Sequence, residues 1–374
     1  MKLLNTIVLL IFFLTVKAQT NYHYDFYDNI EIKSDSSNRT FSFGIRNLNF
    51  FKNNEYFNNM VYSRALAGTI LEPSIHYQIN DNIKISAGLF VQKYYGETKF
   101  DKLKPLFRIN WQISEDINLI LGDLNNGLNH RMVEQLYQFD RHYINNDEEG
   151  VQLVINKPHF FSDIWVNYDR NSKPRDKEQE IMQLGYSGSY TLFFSAYTPL
   201  KIFVQTLWAH KGGQHLAVSF PVSTICNAVG GIDLSHGIKS TWNFQTGVTA
   251  YYAHYVELSP ISLEREQTSY GYCGSLYLMS DYIIASLGYW HSHNFISMTG
   301  EPLFQSKSYI YNSVFEPNRK VFCVKLGIKK EIAKGILVGV RYENYYGIDI
   351  NSYDYFYGIH LILNDEFLLK KFNN

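Results

Sequence analysis

Histidine pairs are the first residues of this chain whose types and spacing could do chemistry. His291 and His293 lie two positions apart, and His210 and His215 bracket a short glycine-containing stretch. Imidazoles two positions apart on a strand share a face and could bind a metal ion. Neither pair has a carboxylate or a third histidine close in sequence, so we predict no metal site and no cofactor.

Nucleophile–base arrangements are the second possibility. The chain has no His-x-Ser on a strand, the spacing that outer-membrane phospholipases require, and no G-x-S-x-G motif. Residues Asp147, Glu148 and Glu149 form a run of acids that we interpret as solvated loop charges. Covalent catalysis needs a nucleophile beside a base. The sequence therefore predicts that the protein is not an enzyme.

Segment 125–149 is the third candidate, because it combines polar groups with an apolar stripe. The stripe consists of Leu128, Met132, Leu136 and Phe139. This spacing predicts a short helix, which Asn129 could cap. An apolar stripe must pack against something, so we expect the segment to fold inward and form a constriction. The polar residues at that constriction would be His130, Arg131, Glu134, Asp140 and Arg141. The alternative is an external loop that lies over the opening.

The elements that must position these groups are strands. In residues 102–113, KLKPLFRINWQI, the odd positions are apolar and the even ones are mostly charged or amide. A period of two is typical of a strand, because successive side chains point to opposite faces. The same alternation recurs in 71–79, 83–91 and 336–342, and from one end of the chain to the other.

The domain organisation follows from the two ends of the chain. Residues 1–18 combine Lys2, an apolar stretch and a small residue at the cleavage position, which predicts a secretory signal peptide. Residues 19–39 lack a pattern and are interpreted as a periplasmic lead-in. Residues 40–374 are predicted to form one β-barrel.

The predicted fold class is all-β, a transmembrane antiparallel β-barrel of about 16 strands. Short connections, as at 80–82 and 115–116, alternate with long ones, as at 125–149 and 294–318. Outer-membrane barrels show this asymmetry between short periplasmic turns and longer external loops. A sandwich usually closes within roughly a hundred residues, and a propeller shows a repeat, so both are disfavoured.

Alternation also predicts which charged side chains face the lumen. The predicted pore-lining residues are Arg46, Glu72, Lys84, Lys104, Arg108, Lys325, Lys329, Arg341 and Glu343. Basic groups outnumber acidic ones, which would favour anions in a channel. The alternative is that these charges pair with one another. The formal net charge of −1 gives no indication of nucleic acid binding.

Two stretches carry a resemblance to a known group of proteins. The run LNHRMVEQLYQFDR at 128–141 and the run HKGGQ at 210–214 are similar to uncharacterised porin-like outer-membrane β-barrels of Bacteroidetes. The resemblance covers most of the chain after the signal peptide, and it transfers no functional residue.

These observations predict a bacterial outer-membrane channel for passive diffusion of small polar solutes. The expected partners are outer-membrane lipid, small polar solutes and further copies of the chain in a homo-oligomer. The alternative is a non-conducting interaction barrel, which would act as a surface scaffold or as part of a secretion or uptake complex.

Overall fold

A computed structural model describes residues 39–145, 147–195, 197–213, 217, 220–238, 243–261 and 268–372. The signal peptide and almost all of the predicted lead-in lie outside the described residues. Sixteen strands make up the fold. They are Thr40–Glu55 (β1), Arg64–Asn80 (β2), Ile83–Tyr94 (β3), Lys102–Ser114 (β4), Ile117–Asp123 (β5), Glu149–Lys157 (β6), Phe160–Arg170 (β7), Glu180–Ser195 (β8), Thr198–Gly212 (β9), Ser223–Ile238 (β10), Phe244–Glu257 (β11), Thr268–Met279 (β12), Ile283–His293 (β13), Asn318–Ala333 (β14), Ile336–Gly347 (β15) and Ser352–Lys371 (β16).

The strands close into a single barrel, which confirms the predicted fold class. Each strand pairs antiparallel with its neighbours in sequence, and β1 pairs with β16 from Thr40↔Lys371 to Glu55↔Tyr355. Apart from one stretch of β4 described below, closure leaves no sheet edge around the ring, so backbone groups bond to one another in lipid. No helix in the described part of the chain is long and apolar enough to cross a membrane.

The two ends of the barrel differ. β1 begins and β16 ends at the same side, where the connections within the pairs β2–β3, β4–β5 and β6–β7 span only two residues each. That side is the periplasmic end of a bacterial barrel. Seven of the eight connections at the opposite, external end have seven or more residues, and the one between β15 and β16 has four, which agrees with the predicted asymmetry.

The barrel wall has a notch at its external side, and the short strands β5 and β6 cause it. β4 pairs with β5 only from Arg108 onward, so its residues Lys102–Phe107 have no partner strand on that side. The unpaired stretch is about 20 Å long at about 3.3 Å per residue. Leu103 and Phe107 point outward from it and are more than half exposed. The notch therefore opens toward the external half of the apolar band.

Two facing glycines end the wall at the bottom of this notch. Gly122 at φ +92° pairs with Gly150 at φ +157°. A Cβ on Gly122 would lie 2.0 Å from the carbonyl oxygen of Phe107, and a Cβ on Gly150 would lie 2.0 Å from that of Val166. No other residue fits such close backbone approaches. The chain can leave β5 toward the lumen and return to β6 only because both positions are glycine.

The external half of the lumen is filled by two connections, which we name the first plug segment (residues 124–145) and the second plug segment (residues 294–317). Leu136, at 0% exposure, belongs to an apolar cluster shared with wall residues such as Trp290. The segments also bond to each other, because Gln138 donates its backbone N–H to the carbonyl of Thr299 at 2.7 Å.

The short helix predicted from the apolar stripe, with Asn129 as its cap, was wrong. A 3-10 turn covers only Gly127–His130, and the one α-helix of the first plug segment is Arg141–Ile144 (α1). The intervening backbone makes a single local turn, in which Leu136 and Tyr137 donate to the Val133 carbonyl, and it otherwise bonds to other segments. Val133, for example, donates its N–H to the Gln205 side chain of β9 at 2.8 Å. Helical spacing of the apolar residues reflects packing on two sides of an irregular segment.

Candidate functional site

A buried imidazole between two carboxylates lies where the first plug segment meets the wall. His130 Nδ1 is 2.8 Å from the Oδ2 atom of Asp163, and its Nε2 is 2.7 Å from the Oε2 atom of Glu148. All three side chains are essentially inaccessible to solvent. Carboxylates only accept hydrogen bonds, so both ring nitrogens carry a proton and the ring is an imidazolium.

The electrostatics of this centre agree with its geometry. Burial favours the neutral ring, but the carboxylates of Glu148 and Asp163 outweigh it and raise the pKa of His130 to about 9. Burial also acts to raise the pKa of Glu148, whereas His130 and Arg141 more than offset it and hold that pKa below its usual value. In this conformation His130 has no free nitrogen that could accept a proton.

The wall positions the imidazole through strands β6 to β8. The ring stacks on Trp165 with centroids 3.6 Å apart. Trp165 in turn lies flat over Gly185, where a Cβ would approach its ring to 2.1 Å. Gln152 donates from Nε2 to both oxygens of Asp163, at 2.9 and 3.0 Å. Asp163 is therefore fixed on the wall, while Glu148 belongs to the connection that re-enters the wall at β6.

The acid run 147–149 is solvated only in part, because Glu149 is exposed whereas Glu148 is buried, which corrects its interpretation from sequence. Glu148 is fully buried, and Tyr137 donates its hydroxyl to it. Asp147 bridges the notch, with its carboxylate 2.7 Å from Lys102 Nζ and 3.1 Å from Lys104 Nζ. Alternating directions along an extended chain explain this, because neighbouring residues point to opposite sides. The segment 147–149 thus spans the notch with Asp147 and contacts the imidazole with Glu148.

Further ion pairs anchor the first plug segment. Glu134 pairs with Lys325 of β14, and Asp140 pairs with Lys52 of β1. The Arg141 guanidinium carbon lies 4.9 Å from the Tyr137 ring centroid. The remaining predicted constriction residue, Arg131, stacks on the ring of Phe161 at 3.7 Å and has a left-handed backbone.

The predicted lumen charges mostly pair, in accordance with the alternative to an anion-favouring wall. Each of the following sits in an ion pair: Arg46 with Glu72, Lys84 with Glu366, Lys104 with Glu149, Lys325 with Glu343 and Arg341 with Glu343. Arg108 donates to the side chain of Asn125 at 2.6 Å. Lys329 is half-buried near the periplasmic end of β14.

Sequence reasoning found His130 but missed its partners. Asp163 and Trp165 alternate with outward residues on β7, so period two could have identified them as lumen-facing. No sequence pattern indicated that Glu148 is buried beside His130. The histidines His291 and His293 point outward and bond to Tyr272 and Asn318, respectively.

A protein-family model described as "Lipid A 3'-O-deacylase-type" matches residues 32–372. None of the curated proteins compared with the chain matches it. The family match overturns two predictions, the passive channel for small solutes and the absence of enzymatic activity. Both predictions relied on the alternation of polar and apolar residues along the strands and on the absence of short catalytic motifs. Neither feature can detect a site whose residues come from a loop and from the barrel wall.

Solved structures show the same fold. OprD of Pseudomonas aeruginosa is similar with a TM-score of 0.51 and 8% identity over 90% of this chain and 97% of that one. A loop-deletion mutant of OmpT, an outer-membrane protein of Vibrio cholerae, has a TM-score of 0.50 and 11% identity over 87% and 99%. The chain is thus an outer-membrane barrel, as predicted.

Proposed function

The chain belongs to the lipid A 3'-O-deacylase-type family, and from that premise we propose that it hydrolyses an acyl ester of lipid A in the outer membrane. The observation that carries the proposal is the notch between β4 and β7. It connects the lipid side of the wall to the buried centre of His130, Asp163 and Glu148 through a single short segment.

Access from lipid is the first requirement of such an enzyme, and the notch supplies it. Residues Asp147–Glu149 close the notch with side-chain ion pairs rather than with a strand ladder. Pairs of partly exposed lysines and carboxylates are worth little, typically about 0–1 kcal/mol each. Displacing this segment therefore breaks no strand ladder with β4, and its main cost is the loss of the buried contact between Glu148 and His130.

Charge at the notch suits the proposed substrate. Lipid A is an anionic, phosphorylated and acylated sugar. When Asp147 and Glu149 leave, Lys102 and Lys104 lose their carboxylate partners beside the external half of the apolar band. Two ammonium groups next to an apolar surface are suited to hold a phosphate while an acyl chain lies against the wall.

Displacing Glu148 would also allow His130 to act as a base. Nε2 of His130 would then be free, and the pKa of the ring would fall, because one of the two carboxylates that raise it has gone. Asp163 would keep Nδ1 protonated and hold the ring in place. The neutral imidazole takes a proton from water, whose oxygen attacks the ester carbonyl carbon. The bond to the sugar oxygen breaks, and that oxygen takes the proton from the imidazolium.

The test is deacylation of purified lipid A in mixed detergent micelles by the folded barrel. Mass spectrometry should show loss of one acyl chain together with free fatty acid. His130→Asn should abolish the reaction and Asp163→Asn should slow it about 100-fold or more, as expected for loss of a base and its orientation. His210→Asn, on β9, is the matched control and should keep full activity.

A second comparison addresses the notch. The double variant Lys102→Gln, Lys104→Gln should raise the KM for phosphorylated lipid A and change it little for dephosphorylated lipid A. No deacylation by the folded wild-type barrel would reject the proposed function. Full activity of the His130 variant would reject the assigned site.

A further inference from the structure

The periplasmic half of the lumen holds a second site that is independent of His130. A polar cavity of about 650 Å³ lies there, lined by β1 to β6 and β16 and roofed by Leu124 and Asn125 of the first plug segment. This volume falls within the range of small-molecule sites, about 300–1,000 Å³. Its position at the short-turn end means that its solutes would come from the periplasm.

A serine and a histidine share one face of β2 in the wall of this cavity. Ser74 Oγ lies 3.1 Å from His76 Nε2, and His76 Nδ1 lies 2.7 Å from Ser86 Oγ on β3. A nucleophile within hydrogen-bond reach of a base, with a third group on the other side of the base, is the arrangement of hydroxyl nucleophiles. The order in sequence is Ser-x-His, the reverse of the His-x-Ser spacing absent from this chain.

Two glycines make room for this pair. Gly44 on β1 and Gly88 on β3 stand opposite Ser74 in the register. A Cβ on Gly44 would lie 2.3 Å from His76 Nε2, so the ring can reach Ser74 only over a glycine. The imidazole takes the space over Gly44, and Gly88 leaves the other side of Ser74 without a side chain, so a small carbonyl group can approach the hydroxyl from the Gly88 side.

Cations beside the pair could stabilise negative charge. Arg46 follows Gly44 on the same lumen face of β1 and uses one amino group on Glu72 at 3.1 Å. Arg108 of β4 stands opposite Ser86 in the register. Both guanidinium groups line the cavity. Fixed cations placed where an oxyanion develops lower the barrier of acyl transfer.

We propose that Ser74 and His76 form a second hydrolytic centre, which cleaves small polar carboxylic esters that reach the cavity from the periplasm. Ser74 Oγ bonds to the carbonyl carbon, and its proton passes to His76 Nε2. The bond to the alcohol oxygen breaks, and that oxygen takes the proton from His76. Water, deprotonated by His76, then releases the acid from Ser74 and restores the serine hydroxyl.

The test uses a fluorophosphonate probe on the folded full-length barrel in detergent, because the probe forms a stable bond to an activated serine. Peptide mapping of the labelled wild-type protein should place the phosphonate on Ser74. His76→Asn should slow labelling at least tenfold. Ser235→Ala, in a buried wall serine of β10, should leave it unchanged.

Ester hydrolysis gives the second readout. The folded wild-type barrel should hydrolyse p-nitrophenyl acetate, and Ser74→Ala should remove this activity without changing lipid A deacylation. Absence of label on Ser74 in the wild-type protein would overturn the proposal, whether or not the variants fold. Labelling of Ser74 that proceeds equally fast in the His76 variant would overturn it too.

Discussion

Raising the pH should switch the charge of His130, and Trp165 should report it. The imidazolium stacks on the indole at 3.6 Å, and a protonated imidazole in such contact quenches indole fluorescence. Its pKa rises from 6.5 to about 9 in the folded protein. We therefore expect the emission of Trp165 to increase through a transition centred near pH 9.

The same pKa shift gives the size of the contribution that the charged His130 makes to the stability of the first plug segment. A pKa rise from 6.5 to about 9 corresponds to roughly 3 kcal/mol at about 1.4 kcal/mol per pKa unit. Because the folded-state value is raised, this stabilisation is fully present below about pH 6.5 and is lost as the pH rises through about 9. At alkaline pH the first plug segment should therefore become more accessible to proteases.

The assay measures fluorescence of the wild-type barrel and of Trp165→Phe over pH 5–10. Subtracting the second from the first removes the signal of the other four tryptophans of the chain. His130→Asn is the control and should give no transition near pH 9. A wild-type transition at or below pH 6.5 would refute the carboxylate pairing on both sides of the ring.

Two further predictions concern the notch and the plug. Gly122→Ala should destabilise the barrel by more than about 1 kcal/mol, since φ is +92° and the new Cβ would meet the Phe107 carbonyl at 2.0 Å. Folding yield in detergent measures this loss. The control is Gly230→Ala, whose Cβ would meet nothing within 4 Å. Leu136→Ala should weaken the plug by about 2–5 kcal/mol, as for a fully buried leucine, and speed its proteolysis; Leu276→Ala, at a lipid-facing position that is 55% exposed, should not.

The fold could be predicted from the sequence because the two-residue period of a strand is a local property. The alternation in 102–113 assigns each residue to lipid or lumen without knowledge of any partner strand. Leu103 and Phe107 lie outward as that pattern requires. The strand number followed from counting such segments and turns, and closure followed from the cost of an open edge in lipid.

The site was only partly readable, because its members come from segments that no local pattern joins. His130 was singled out from a supposed helix, which the structure replaces with an irregular segment bonded to the wall. Asp163 and Trp165 lie on a strand more than thirty positions further along the chain. Glu148 looked like an exposed loop charge and is fully buried.

The sequence by itself determined which face of each strand meets lipid, since the two-residue period fixes side-chain direction. The apolar stripe also predicted that segment 125–149 folds inward, but only the tertiary structure showed that a second connection enters the lumen and which contacts the two make. A barrel of this width leaves space for two connections to enter, and their path depends on Gly122, Gly150 and contacts between distant segments. Those contacts place His130 between two carboxylates behind a notch, because charges buried in a lumen must find partners wherever the fold brings them.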